Sequence, residues 1–160
     1  MKTAFLALTA MALSPFASAT DIEITYSPEF QEKLQDDYGI KEGDKLKDDI
    51  RSDLERELGK ANLDPARVSV TIVDAKPNRP TMEQMGRRPG LDMLRSKSLG
   101  GMELAGVAYD ASGTPVGQLQ YDWFENDITQ VVASGVWSDA SRASRRFAQK
   151  FAEELSDPES

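Results

Sequence analysis

Residues 102–125 read MELAGVAYDASGTPVGQLQYDWFE and predict a β-hairpin. Met102–Tyr109 and Val116–Glu125 have the composition of strands, rich in apolar and aromatic residues. The six residues between them, DASGTP, include Asp, Ser and Gly, which favour turns because Asp and Ser cap them and Gly permits a positive φ. The domain therefore contains two neighbouring antiparallel strands.

Two further strands are predicted upstream of the hairpin. Asp21–Tyr26 alternates strictly, with Ile22, Ile24 and Tyr26 on one face. The interval from Arg67 to Ala75 alternates in the same way. Each pattern is typical of a strand with one buried face.

Three helices are predicted from apolar residues at four-residue spacing. Ser27, as N-cap before Pro28, begins the first helix, and Gly39 ends it. The second helix runs from Gly43 to about residue 59, and the third runs from Ser138 to about residue 155. The order is β-α-α-β-loop-β-β-α, which predicts an α+β fold with a mainly antiparallel sheet of about four strands and helices on one face.

The amino terminus has the pattern of a cleaved secretory signal peptide. Lys2 precedes an apolar run from Thr3 to Leu13, and Ala17 and Ala19 are the small residues before a cleavage site. We expect residues 1–19 to be removed and residues 20–160 to form a single domain that is exported, either to the periplasm or to the extracellular medium. No later apolar run is long enough for a membrane anchor.

Composition excludes several function classes. The chain has 160 residues, a formal net charge of −8, and neither Cys nor His. Disulfides, cysteine lipidation and Ser-His-Asp or Cys-His catalysis are therefore excluded. The acidic balance also argues against binding to nucleic acid, which requires a basic surface.

Residues 76–101 form the most unusual segment, a long loop with a short turn of helix near Thr81–Met85. Long loops of this kind are often functional. The segment has a charge of +4 inside an acidic chain; its charged residues are Lys76, Arg79, Arg87, Arg88, Arg95 and Lys97 against Glu83 and Asp92.

The candidate binding residues lie in this segment. Arg79, Arg87 and Arg88 have planar guanidinium groups that pair two oxygens at once, as in a carboxylate or phosphate. Met82 and Met85 would add adaptable apolar contacts. In the alternative interpretation, the arginines pair with the protein's own acids and the methionines pack over an edge of the sheet.

No catalytic residue, metal ligand or cofactor is assigned. The acids of the second helix (Asp48, Asp49, Asp53 and Glu57) are interpreted as a solvated face, because a straight helix does not converge its carboxylates on a cation. Asp122 and Glu125 are the best pair for carboxylate-based hydrolysis, but Asp122 and the neighbouring Trp123 face opposite ways in a strand, so the acids and aromatic side chains do not form one cluster.

Several short patterns resemble those of small exported bacterial proteins of unknown function. They are KPNRPT at 76–81, RPGL at 88–91, the glycine pair at 100–101, and Trp137 followed by Asp139, Ala140, Phe147 and Ala148. The resemblance spans about residues 22–155. It implies a non-lipidated envelope protein and assigns no role to any residue.

The leading hypothesis is an exported, non-enzymatic domain that binds a protein partner, such as an envelope protein, through the loop at 76–101. An alternative is a carrier of a small anionic molecule held by Arg79, Arg87 or Arg88. A hydrolase using carboxylates is a third alternative. Both the oligomeric state and the partner stay open.

Overall fold

A computed structural model describes residues 19–131 and 135–157. The predicted signal peptide lies outside the described residues, apart from Ala19. The strands are Asp21–Tyr26 (β1), Arg67–Lys76 (β2), Gly101–Tyr109 (β3) and Pro115–Phe124 (β4). The helices are Pro28–Lys33 (α1), Ile40–Lys60 (α2), Met82–Arg87 (α3) and Ser138–Ser156 (α4), with a π-helical turn at Leu34–Tyr38 and a 3-10 turn at Ile128–Val131.

The four strands form one sheet in the order β1-β2-β3-β4. β1 pairs with β2 in parallel, and the other two pairs are antiparallel. The α+β prediction is confirmed, with a mixed sheet. The parallel pair arises because α1, the π turn and α2 connect β1 to β2 and return the chain to the starting edge, as parallel neighbours require.

The core lies between one face of the sheet and the two long helices, α2 and α4. The buried side chains from β1 and β2 include Ile22, Ile24 and Val70, which is the alternation expected for strands with one covered face. Helix α4 contributes Phe147 and Phe151, whose rings stack at 5.5 Å between centroids. As expected for helices on one face, the side chains that alternate with these on the sheet are more exposed and mostly polar.

Helix boundaries follow local capping. The Phe30 amide donates to Ser27 Oγ at 3.1 Å, which begins α1 where the sequence predicts it. Gly39 has φ +98°, a conformation that glycine adopts without strain, and it ends the π turn. Helix α2 begins at Ile40, three residues before the predicted start, because the Glu42 amide already donates to the Gly39 carbonyl at 3.1 Å.

One acid of α2 does not belong to a solvated face. Asp53 is buried, and its carboxylate accepts hydrogen bonds from Ser144 Oγ at 2.7 Å and from Arg56 at 2.6 Å. The prediction for this residue was wrong because its partner Ser144 lies on α4, distant in sequence. The contact links the two helices that cover the sheet.

None of the helices among the described residues is both long enough and apolar enough to cross a membrane.

Candidate interaction surface

Asn78 fixes the start of the unusual segment to the body of the protein. Its side chain is fully buried. Its Nδ2 donates to Asp139 Oδ2, and its Oδ1 accepts from the Asp139 amide at 2.8 Å. The Asn78 amide donates to the Val136 carbonyl at 2.7 Å. The chain after β2 is therefore joined to the beginning of α4 by hydrogen bonds of both main chain and side chain.

The end of the segment meets the same cluster. The Ser98 amide donates to the Asn78 carbonyl at 3.0 Å, and the Gly100 amide donates to Asp139 Oδ2 at 3.3 Å. A Cβ at Gly100 would lie 2.7 Å from Asn78 Oδ1, so no larger residue fits there without a shift. We call Asn78, Ser98, Gly100 and Asp139 the Asn78 cluster. It brings the two ends of the segment together.

Helix α3 lies inside the segment and is held by its own capping box. The Gln84 amide donates to Thr81 Oγ1 at 3.2 Å, and the Thr81 amide donates to Gln84 Oε1 at 3.1 Å. Gln84 Nε2 also donates to Asp37 Oδ2 at 2.8 Å. These contacts confirm a short helix in the predicted place and attach it to the π turn.

The three candidate arginines make contacts within the protein. Arg79 is buried, and its guanidinium donates to the carbonyl of Leu94 at 2.7 Å. Arg87 pairs with Glu83 at 2.8 Å and donates to the Asp36 carbonyl. Arg88 pairs with Asp37 at 2.5 Å. The geometry matches the alternative in which these arginines pair with the protein's own groups, and a partner or ligand contact by Arg79, Arg87 or Arg88 stays a prediction.

Several apolar side chains of the segment are exposed. Met82 is 70% exposed and Met85 is half-buried. Seven large apolar side chains are exposed among the described residues, and five of them lie in this region: Ile40, Met82, Met93, Leu94 and Leu99. We call the surface formed by Ile40 and residues 82–99 the loop end. Ile40 and Met82 come from different elements and line one open hollow of about 570 Å³.

A second hollow, of about 360 Å³, lies beside the first and carries basic side chains. Lys76, Arg88 and Lys97 are among its lining residues, with Asp37 as the acidic one. Tyr38 lines both hollows. Burial, and then the negative charges of Asp74 and Asp37, raise the pKa of Tyr38 to about 12, so its hydroxyl stays protonated at neutral pH.

The two carboxylates considered for hydrolysis lie in different environments. Asp122 is exposed on β4. Glu125 follows β4, and its carboxylate pairs with Arg142 at 3.4 Å and accepts the amide of Asn126 at 2.9 Å. In residues 19–131 and 135–157, no group of three or more acids is placed to hold a metal ion.

Sequence reasoning missed two features of this region. Ile40 is followed by a charged residue and belongs to no periodic apolar pattern, so the sequence does not mark it as part of a surface. In the structure it is 62% exposed and lines the same hollow as Met82. Asn78 lies in the predicted loop, but the sequence does not indicate that Pro77, Asn78 and Pro80 are all buried. The only sequence feature that could have indicated this burial is the pair of prolines, Pro77 and Pro80, on either side of Asn78 and Arg79.

Comparison with known proteins places the chain in no family. No family model matches it, and no curated protein matches it. Among solved structures, a minor lipoprotein from Acinetobacter baumannii, determined at 2.35 Å, is similar with a TM-score of 0.37 and 12% sequence identity. That similarity covers 87% of this chain and 94% of the other.

Proposed function

We propose that this protein is an exported, non-enzymatic α+β domain that binds a protein partner through the loop end. One observation carries the proposal: five of the seven exposed large apolar side chains of the described residues belong to Ile40 and residues 82–99. Scattered apolar residues are normal on protein surfaces, but a group of them indicates an interaction site. Export is supported by the signal-like pattern of residues 1–19.

The partner surface should be apolar with carboxylates at its margin. Met82 and Leu94 are the most exposed apolar side chains of the loop end, at 70% and 81%. Arg95 and Lys97 are exposed beside them and form no ion pair with any residue that the structure describes. Their charge favours an acidic partner and would speed its association.

The loop end is held in place before a partner arrives. The Asn78 cluster joins both ends of the segment to α4, and Arg88 and Gln84 attach α3 to Asp37. A surface that is already ordered loses less conformational entropy on binding. The paired arginines, Arg87 and Arg88, thus hold the shape of the loop end, and the exposed apolar side chains make the contact with the partner.

The test is affinity capture from the cell envelope with a double variant, Met82→Asp with Leu94→Asp. Both side chains are exposed, so the fold should be retained. We expect capture of the partner to fall about tenfold or more, because charges would replace the two most exposed apolar side chains of the proposed contact.

The matched control is Ile128→Asp, which changes an exposed apolar residue outside the loop end. It should capture the partner as well as the unaltered protein does. Equal capture by all three proteins would refute the proposal, as would equal loss in both variants.

A second candidate function is the binding of a small anionic molecule in the 360 Å³ hollow, favoured by Lys76, Arg88 and Lys97 on its walls. A thermal-shift screen with sugar phosphates and dicarboxylates tests it, since a ligand specific for the folded state raises the melting temperature as its concentration rises. Lys97→Gln should abolish the shift, while Lys60→Gln, on the exposed end of α2, should preserve it. A shift that survives Lys97→Gln would exclude this hollow.

A further inference from the structure

The two outer strands of the sheet differ in how their edges are protected. β1 has six residues, carries Asp21 and Glu23, and its Ile22 carbonyl accepts a hydrogen bond from Arg51 at 3.3 Å. β4 has ten residues, and within the described ranges no strand pairs with its outer edge. Alternate residues of such an edge leave their N–H and C=O groups without strand partners, which favours the addition of another strand.

We propose that two copies of this chain form a homodimer in which the β4 strands pair antiparallel across a two-fold axis at Gln120. Two identical strands can add to each other in this way because an isologous interface uses the same surface on both copies. The result would be one continuous eight-stranded sheet. This surface is separate from the loop end, so the inference does not depend on the proposed function.

The sequence of β4 is complementary to itself about Gln120. In that register, Leu119 meets Tyr121 of the second copy on the face covered by helices. On the open face, Gln118 meets Asp122 of the second copy, and Val116 meets Phe124. Each pairing is apolar with apolar or amide with carboxylate, so no like charges lie opposite each other.

Partly exposed apolar side chains follow the same edge. Leu119, Tyr121, Trp123 and Leu155 pack against the core but are only partly buried. Gly117 would face Trp123 of the second copy, and Leu155 lies directly over Gly117, where an added Cβ would come within 2.4 Å of Leu155 Cδ2. Pairing would cover these residues with a second hydrophobic surface, and their burial favours association.

Helix α4 would add charge complementarity to the strand pairing. It runs antiparallel to β4, since Arg146 lies 4.5 Å from the Trp123 ring at one end and Leu155 lies over Gly117 at the other. Its charges are segregated along its length. Apart from the buried Asp139, the basic residues of α4 come first and the acidic residues last: Arg142, Arg145, Arg146 and Lys150, then Glu153 and Glu154, with Asp157 directly after the helix.

A two-fold axis through Gln120 brings the basic part of one α4 beside the acidic end of the other. Because α4 lies over both β3 and β4, and strands are about 4.8 Å apart, the two helix axes would lie about 10 Å apart. That is within the usual range for packed helices. Arg146 of each copy would then lie near Glu153 of the other, and the helix dipoles would be antiparallel.

The test is sedimentation of the purified protein at concentrations from about 1 to 100 µM, a range that spans weak and moderate dimers. We expect a dimer for the unaltered protein. Gln120→Lys should raise the dimer dissociation constant about tenfold or more, because two lysines would meet at the axis. Gln118→Lys is the matched control, since its lysine would face Asp122 of the second copy and the dimer should persist.

Both glutamines are exposed, so the circular dichroism spectrum should be unchanged in both variants. The melting temperatures should also agree when they are measured at a concentration where the unaltered protein is monomeric, since dimerisation itself stabilises the folded state. A monomer throughout the concentration range would overturn the proposal. A dimer that Gln120→Lys leaves intact, or that both substitutions weaken equally, would overturn the interface and its register.

Discussion

At the scale of single residues, Asn78 has the largest structural role in the unusual segment. It is fully buried and makes hydrogen bonds through both its side chain and its main chain. The carboxylate of Asp139, only 2% exposed, accepts hydrogen bonds from Asn78 Nδ2 and from the Gly100 amide and pairs with Arg142 at 3.4 Å. A buried carboxylate that loses a hydrogen-bond donor is still desolvated but is less well compensated, so removing this contact should lower the free energy of unfolding.

Asn78→Ala should lower the free energy of unfolding by about 2–3 kcal/mol, the range for lost hydrogen bonds to a buried charged group. Urea denaturation followed by circular dichroism measures the change. Asn126→Ala, at an exposed asparagine, is the control and should change stability little. If the two variants had equal stability, the Asn78 cluster would have no special role.

Two tyrosines predict how stability changes at alkaline pH. Burial raises the pKa of Tyr26 and of Tyr38 to about 12, from the ordinary value of 10.0, and nearby acids add to both shifts. The folded state therefore holds these protons more tightly than the unfolded state does. Their contribution to stability is complete below pH 10 and is lost as the pH rises towards 12.

The double variant Tyr26→Phe with Tyr38→Phe removes both hydroxyls. Its free energy of unfolding should fall less steeply between pH 10 and 12 than that of the unaltered protein. Urea titrations at several pH values measure the two slopes. Parallel slopes would show that neither hydroxyl is shielded by folding.

At the scale of elements, α3 depends on its cap because it has only six residues. Thr81→Ala removes the acceptor of the Gln84 amide and should destabilise the helix by about 1 kcal/mol. Hydrogen exchange should become faster at residues 84–88 and stay unchanged in α4. Thr114→Ala, in the exposed β3–β4 turn, is the comparison; equal exchange at residues 84–88 in both variants would contradict the role of the cap.

The strands and the long helices could be predicted because their signals are local. The alternation in Asp21–Tyr26 and the four-residue spacing in α4 each lie within one element, and both elements form where expected. The parallel pairing of β1 and β2 depends on a crossover of about 40 residues, so alternation alone could not establish it. Alternation of apolar and polar residues shows only which face of a strand is buried, not which strand lies beside it.

The candidate surface was harder to predict because its contacts join distant residues. Asn78 and Asp139 are 61 positions apart, and Arg88 reaches Asp37 across 51. Composition identified the segment and its charge but not the partner of each arginine. The exposure of Met82 and Leu94, and the position of Ile40 beside Met82, follow only from the fold.

At the scale of the whole molecule, the basic residues of the segment 76–101 fall into two groups, those that make contacts within the chain and those that stay exposed. Arg88 pairs with Asp37, and Arg87 donates to the Asp36 carbonyl, so both hold α3 against the π turn. Arg87 also pairs with Glu83 within α3. Arg95 and Lys97 stay exposed around an apolar surface. In a capture experiment, Arg87→Glu with Arg88→Glu would therefore change the shape of the loop end as well as its charge. Substitutions at the exposed apolar residues avoid the change in shape.

The central claim is that the loop end contacts a protein partner. The most direct measurement places a photo-crosslinking amino acid at Leu94 in one protein and at Ile128 in another, both at exposed apolar positions, and irradiates each in intact cell envelopes. We expect a discrete adduct from position 94, abolished by Met82→Asp, and no adduct of that mass from position 128. No adduct from position 94, or the same adduct from both positions, would contradict it.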